Sequence, residues 1–384
     1  MAIRSGRYTI IFLFRHSFFM LTVVFFMLYS TAGSMAQSVE RHRYPNIGVG
    51  VNRFEPDSSL YSNSNFAVFG NVDTLRGVQL GLLTGFTNKE MRGVNIGGLT
   101  SFSYGKAYGV TLAGIMTSVN GDMRGVQLAT VSNIANKANG IQVAGLTNAV
   151  TSPFRGVQIS AISNISMGVK RGIQFSGASN ICSSYMRGIQ VAAYNYADTL
   201  NGSQVGFVNV CMSHPRGVQV GIINYSRDTL AHKIGLVNIT PKTRIDLMFY
   251  GGSSTKTNLA VRFRNRSTYR ILGVGTHYMG FDEKFSGALF YRVGQYIQLG
   301  GKWTLGGDIG YYHIETFLKN SDDRPDRLYS LQARINGGYW INNYFGAFMS
   351  VGYGDTRYYR HSRRYRSRPI IEAGVSFRLM RSNR

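Results

Sequence analysis

The chain has 384 residues, room for two or three domains or for one long repeat array with an added module. Lys+Arg 42 against Asp+Glu 18 gives a net charge of +24. That balance calls for anionic partners such as lipid A phosphates, acidic glycans, anionic lipid or nucleic acid, or else it serves only as solubilising charge. Two cysteines exclude a disulfide-stapled scaffold and a Cys-rich zinc site.

Residues 1–36 read as a secretory signal peptide. Arg4, Arg7 and Arg15 precede an apolar run from Phe18 to Tyr29, and Ser34-Met35-Ala36 supplies a small-x-small site that predicts cleavage after Ala36. The run is about 12 residues, too short to span a bilayer as a helix. No cysteine stands near this end to carry a lipid. Residues 37–74 hold two strand-like pieces, Ile47 to Val51 and Phe66 to Phe69, which cap the first repeat or pair with it.

From residue 75 to 241 one phrase recurs: Gly77-Val78-Gln79-Leu80-Gly81, Gly125-Val126-Gln127-Leu128-Ala129, Gly217-Val218-Gln219-Val220-Gly221. The leading glycines (Gly77, Gly93, Gly109, Gly125, Gly140, Gly156, Gly172, Gly188, Gly202, Gly217) are 14 to 16 residues apart, and Ile234-Gly235-Leu236-Val237-Asn238 is a degenerate last copy. A fixed short period means one supersecondary unit per repeat, unable to bury its apolar face except by stacking on its neighbours. After each leading glycine, aliphatics alternate with Gln, as in a strand; small residues then mark a bend, and Asn suits a corner. Two architectures fit. In a β-solenoid of about 11 rungs, parallel strands stack about 4.8 Å apart and identical side chains form ladders of Val, Gln and Asn. In a meander, each repeat is one strand of a large antiparallel transmembrane barrel of about 20 strands. The solenoid is favoured, because turn lengths do not alternate along the array.

Residues 242–384 alternate cleanly. Leu331, Ala333, Ile335 and Tyr339 oppose Ser330, Gln332, Arg334 and Asn336; Ile371, Val375, Phe377 and Leu379 oppose Glu372, Ser376 and Arg378. Eight such segments, beginning near Ile245, Asn258, Tyr269, Ser286, Lys302, Leu328, Tyr344 and Pro369, predict an antiparallel eight-stranded barrel with apolar residues outside and polar residues inside. Short turns at Gly300 to Lys302 and Ile341 to Asn343 alternate with long loops at Asn320 to Arg327 and Asp355 to Arg368. A soluble β-sandwich would alternate as well.

The phrase Gly217 to Asn224, Gly-Val-Gln-Val-Gly-Ile-Ile-Asn, resembles the G-[VIL]-Q-[VIL]-[GA]-x-[VI]-N repeats of a family of Gram-negative surface-repeat proteins. The resemblance covers residues 75–240 and, more loosely, the tail; that family carries no established activity or catalytic residues to transfer. The copies at Thr111 and Ser203 depart from the pattern.

Enzyme chemistry is poorly represented. The repeats hold four scattered carboxylates, Glu90, Asp122, Asp198 and Asp228, and the seven His show no metal-ligand spacing. Neither a cofactor nor a metal is expected. Lumen-facing Arg262, Arg264, Arg292, Arg334 and Arg378 against Asp246, Asp308 and Glu372 fit a salt-bridged plug, with an anion pathway as the alternative. Two arginine groups are candidate anion sites. Arg155, Arg171 and Arg187 belong to a row preceding the leading glycines, either a solvated face or an anionic-glycan track. Arg357, Arg360, Arg363, Arg364, Arg366 and Arg368 crowd the last loop among tyrosines, suited to lipopolysaccharide phosphates. Asp73-Thr74-Leu75, Asp198-Thr199-Leu200 and Asp228-Thr229-Leu230 resemble Asp-Ser/Thr-aliphatic sites of periplasmic O-glycosylation, or are plain turns whose Leu enters the core. The sequence thus points to a non-enzymatic outer-membrane or cell-surface protein that binds anionic glycan, lipid or lipopolysaccharide. A periplasmic repeat domain on an outer-membrane barrel is the alternative placement, an outer-membrane channel the alternative function, and export disfavours nucleic acid.

Overall fold

The computed structural model describes residues 46–47, 61–227, 232–276, 284–318, 326–360 and 362–380. The expected signal peptide, all but Ile47 of the strand-like piece Ile47 to Val51, Asp228-Thr229-Leu230 and most of the expected loop Asn320 to Arg327 lie outside them. The described chain is all β: a solenoid of about nine turns followed by a closed eight-stranded antiparallel barrel. It forms two compact units, Met1–Thr151 and Ser152–Arg384; the first holds the earlier rungs, the second the later rungs and the barrel.

Parallel pairing decides between the two architectures. Gly109 pairs with Gly125, Gly125 with Gly140, Gly172 with Gly188 and Gly188 with Gly202, all in parallel ladders. A meander needs antiparallel neighbours, so the single barrel of about 20 strands, and the channel built from it, are excluded. Asn46–Ile47 pairs in parallel with Asn65 and Phe66, which makes the expected cap contact for that piece.

The leading glycine is a steric requirement. Gly188 has φ 136°, and a Cβ there would lie 1.9 Å from the Gly172 carbonyl oxygen; Gly125 has φ 133° and would meet the Gly109 oxygen at 2.0 Å. Only glycine takes this backbone while the rung below stays one strand spacing away.

The alternation within a rung is present, but the sense of its faces is opposite to the usual one. The aliphatics point out: Ile141, Ile173 and Ile189 are about 42% exposed, whereas Gln127, Gln142, Gln158, Gln174, Gln190, Gln204 and Gln219 are fully buried. Stacking explains why amides can occupy the core. Gln side chains donate to the Gln on the rung before, Gln142 to Gln127 at 2.7 Å in the first unit and Gln174, Gln190, Gln204 and Gln219 to their predecessors at 2.8 to 2.9 Å in the second. The Asn residues likewise do not turn corners. They have no positive φ and form a second buried ladder, Asn164 to Asn180 to Asn195 to Asn209 to Asn224 to Asn238, at 2.8 to 3.0 Å. Each Asn amide also donates to a main-chain carbonyl, as Asn180 does to Val191 O at 2.9 Å. A buried amide with both functions paired escapes the desolvation penalty. Behind the arginine row the core is apolar, with Phe154, Met186 and Leu200 fully buried.

The barrel strands are β1 (Arg244–Gly252), β2 (Thr257–Arg264), β3 (Thr268–Thr276), β4 (Lys284–Gln298), β5 (Trp303–Leu318), β6 (Asp326–Trp340), β7 (Phe345–Tyr358) and β8 (Arg364–Met380). Consecutive strands pair antiparallel, and β8 closes on β1 through Phe249↔Val375 and Asp246↔Arg378. Ile309, Leu331, Ile335 and Ile371 are 57% or more exposed on the outside, while Ser330, Arg334, Glu372 and Asp308 are buried within. One expectation is corrected: Asp355 to Arg368 is not a long loop. β7 runs to Tyr358 and β8 starts at Arg364, so Arg357, Arg364, Arg366 and Arg368 lie on strands and only the tip turns, through Ser362 at φ 52°.

Candidate anion-binding surfaces and the barrel lumen

The lumen is built by strand register. Asp246 of β1 lies directly opposite Arg262 of β2 and Arg378 of β8, and Asp308 of β5 opposite Arg334 of β6. Period-two alternation sends all of these inward, where cross-strand neighbours of opposite charge meet. Arg292 grips Asp308 with two bonds, Nη2 to Oδ2 at 2.7 Å and Nε to Oδ1 at 2.8 Å, and reaches Glu372 at 3.3 Å. Arg334 donates to the other Glu372 oxygen at 2.9 Å and, closer still, to Gln332. Tyr269 Oη and Asn336 Nδ2 complete Asp308 at 2.8 and 2.7 Å.

Nearer the short-turn end, Asp246 takes Arg264 at 3.0 Å, Arg262 at 3.1 Å and Arg378 at 3.4 Å, and the Trp340 ring lies 4.7 Å from the Arg264 and 3.8 Å from the Arg378 guanidinium carbons. Tyr250, Phe290, Tyr312 and Phe348 fill another part of the bore, with Phe290 and Tyr312 stacked at 4.7 Å. A cavity of about 30 Å³ lies beside Arg262, Arg264, Arg292 and Asp308, room for a water or two. The expected salt-bridged plug is what the lumen contains.

The last hairpin divides its six arginines. Arg357 and Arg364 hold Asp355 at 2.8 and 3.3 Å, with Ser367 Oγ donating to the same carboxylate at 2.6 Å. Arg368 donates to the Ser254 carbonyl at 3.1 Å. Arg360, Arg363 and Arg366 are exposed, as is the outer part of Arg364. Tyr359 packs against Tyr329 at 5.1 Å and His313 at 5.4 Å and bonds the Tyr311 hydroxyl, and Tyr358 packs edge-on to Tyr365 at 5.4 Å. Asp355 is the anchor that sequence reasoning missed; its spacing of two from Arg357 on one strand was the available signal.

In the solenoid, Arg171 and Arg187 flank the paired Gly172 and Gly188, and Arg155 precedes Gly156, whose carbonyl underlies Gly172, so the three stand on successive rungs. All three are exposed. The same row in the first unit shows how adjacent guanidiniums are separated there: Tyr108 stands between Arg92 and Arg124, 5.7 and 5.5 Å from its ring centre, and Arg92 also pairs with Glu90 at 2.8 Å.

Cys182 and Cys211 are free and fully buried, and burial raises both thiols above the ordinary range. Leu75 and Leu200 are fully buried, as expected of a Leu entering the core, and Thr199 Oγ1 lies 3.1 Å from Ser213 Oγ; both described Asp-Thr-Leu copies lie within strands, Tyr61–Gly97 and Tyr194–Ser226, and not in turns.

No family model matches the chain, and no curated protein matches it. Among solved structures it is similar to the crystal structure of Neisserial surface protein A (NspA), at 8% identity and a TM-score of 0.27, over 36% of this chain and 96% of that one. The eight-stranded closure rests on this chain's own strand pairing and not on that likeness.

Proposed function

We propose that the protein is a non-enzymatic outer-membrane protein: a plugged eight-stranded barrel that anchors the solenoid on the periplasmic side and presents the last hairpin to lipopolysaccharide outside. The observation that carries this reading is the inverted distribution of the barrel, with Ile309, Leu331, Ile335 and Met349 outward and Arg292, Arg334, Asp308 and Glu372 inward. A soluble barrel would lose free energy on both counts; a lipid-facing wall gains it. Trp303 and Tyr339, 4.8 Å apart near the short-turn end, suit an interfacial aromatic girdle.

Eight antiparallel strands return the chain to the end where it entered, and the short turns at 265–267 and 299–302 lie at that end too. Short turns are periplasmic in such barrels, which supports a periplasmic solenoid and an outer hairpin. The repeat phrase agrees with a Gram-negative surface-repeat protein. The exposed arginines at the tip supply planar forks for phosphate, and the tyrosines beside them hold the tip in place. Replacing Arg360, Arg363 and Arg366 with Gln is expected to weaken binding to purified lipopolysaccharide about tenfold or more, with wild-type affinity falling as salt rises. Equal and salt-independent binding by both proteins would refute the assignment.

A further inference from the structure

The outward side of the rungs in the second unit is unlike that of a water-soluble solenoid. Between each leading glycine from Gly156 onward and the buried Asn that follows it, the exposed residues are apolar, aromatic or glycine, with only the half-buried Ser179 and Ser203 polar beside them; Ile159, Ile173, Phe175, Val205, Phe207 and Ile222 are between 40% and 65% exposed. No charged residue occurs in those stretches, in a chain that is 16% charged. Rungs stack about 4.8 Å apart, so the rows are continuous, and a contiguous apolar surface of this kind marks an interaction face.

The arginine row borders it. Arg155, Arg171, Arg187 and Arg216 each stand one residue before the leading glycine, all exposed. An acidic glycan would neutralise the arginines and leave the aliphatic rows in water. A second copy of this chain would cover the aliphatics and bring two arginine rows together. An anionic lipid leaflet meets both needs at once, acyl chains for the aliphatics and phosphates for the guanidiniums. The end of the array is already at the barrel wall: Tyr291, whose neighbour Arg292 points into the lumen, donates from its outward hydroxyl to Leu236 O at 3.0 Å, and Asn265 donates to Asn238 O at 3.3 Å.

We infer that this side of the solenoid is a lipid-binding face, laid into the periplasmic leaflet with its aliphatic rows among acyl chains and its arginine row at the phosphates of an anionic phospholipid. The inference rests on the barrel being the membrane anchor. It is tested on the full chain with Cys182 and Cys211 replaced by Ser, carrying a single spin label at Ile173→Cys, Ile189→Cys, Ser183→Cys or Ile335→Cys, in vesicles of phosphatidylethanolamine and phosphatidylglycerol. Labels at 173 and 189 are expected to collide with oxygen and not with a water-soluble nickel chelate, as at 335, while the label at 183 behaves oppositely. Phosphatidylcholine-only vesicles, or Arg171→Gln with Arg187→Gln, should raise nickel access at 173 and 189 severalfold. Nickel access at 173 and 189 equal to that at 183, with 335 still in lipid, overturns the inference and leaves the anchor standing. Low access to both reagents at 173 and 189 identifies a protein contact and overturns it as well. Nickel access at 335 overturns the anchor itself.

Discussion

One methyl group is enough to prevent a rung from stacking. Gly188→Ala places a Cβ against the Gly172 carbonyl in a backbone region that L-residues avoid, at an expected cost of about 3 kcal/mol. That is roughly a hundredfold loss of amide-exchange protection in the neighbouring rungs, which hydrogen-exchange mass spectrometry would read. Gln190→Leu keeps nearly the same volume and adds apolar surface, yet it takes the partner from the Gln174 side-chain carbonyl and from one of the two Gln204 amide N–H groups, which Gln190 now joins at 2.9 and 2.8 Å. The same measurement is expected to show destabilisation of about 1–3 kcal/mol for each orphaned group, and a stabilised variant would contradict the ladder. The thiols give a pH dependence. Burial disfavours the thiolate at Cys182 and Cys211, so their native pKa values lie above the unfolded ones. The unfolded chain then loses these protons first as pH rises. Native stability is therefore retained below the ordinary thiol value of about 8.5 and declines above it, toward the raised values. Replacing both cysteines with Ser should remove that alkaline decline in denaturant midpoints, and an unchanged slope would show that other groups cause it.

The barrel and the rung respond differently to the same kind of residue. Arg292 is the hub of the plug, so Arg292→Met leaves the buried Asp308 and Glu372 short of a cation, an expected loss of about 3–5 kcal/mol read as a lower temperature for loss of heat-modifiable mobility. Wild-type protein in a planar bilayer is expected to show no steady conductance, since the ion pairs of Arg292 and Arg334 with Asp308 and Glu372 and the rings of Tyr250, Phe290 and Tyr312 pack the bore. Sequence alone made the barrel strands legible, because Leu331 and Ile335 against Arg334 and Glu372 differ by charge, and charge identifies the lumen side in either environment. The rungs were legible as to period and pairing but not as to sense. Alternation separates Ile189 from Gln190 without saying which is inside, and the amide ladder gains its stability only from an identical residue one rung away. The last hairpin misled for a related reason: Arg364, Arg366 and Arg368 carry a period of two, but without an apolar partner row it resembles a solvated loop.

For the whole molecule, an even number of antiparallel strands ties the end of the array and the C-terminal strand end to one end of the barrel. An epitope inserted at the hairpin tip, between Arg360 and Arg363, is expected to bind antibody on intact cells, while one placed in the rung at Ser183-Ser184 should bind only after the outer membrane is permeabilised. The reverse pattern would invert the proposed topology. The ladders carry one more consequence. Each amide reads only the rung before and the rung after, so excising residues 172–187, one 16-residue period, joins Arg171 to Gly188 and sets Gln190 and Asn195 beneath the partners that Gln174 and Asn180 had. Half a period would set aliphatics against amides and fail. Span is thus quantised in this protein: the array can lengthen or shorten by whole units with the amide ladders on either side kept in register.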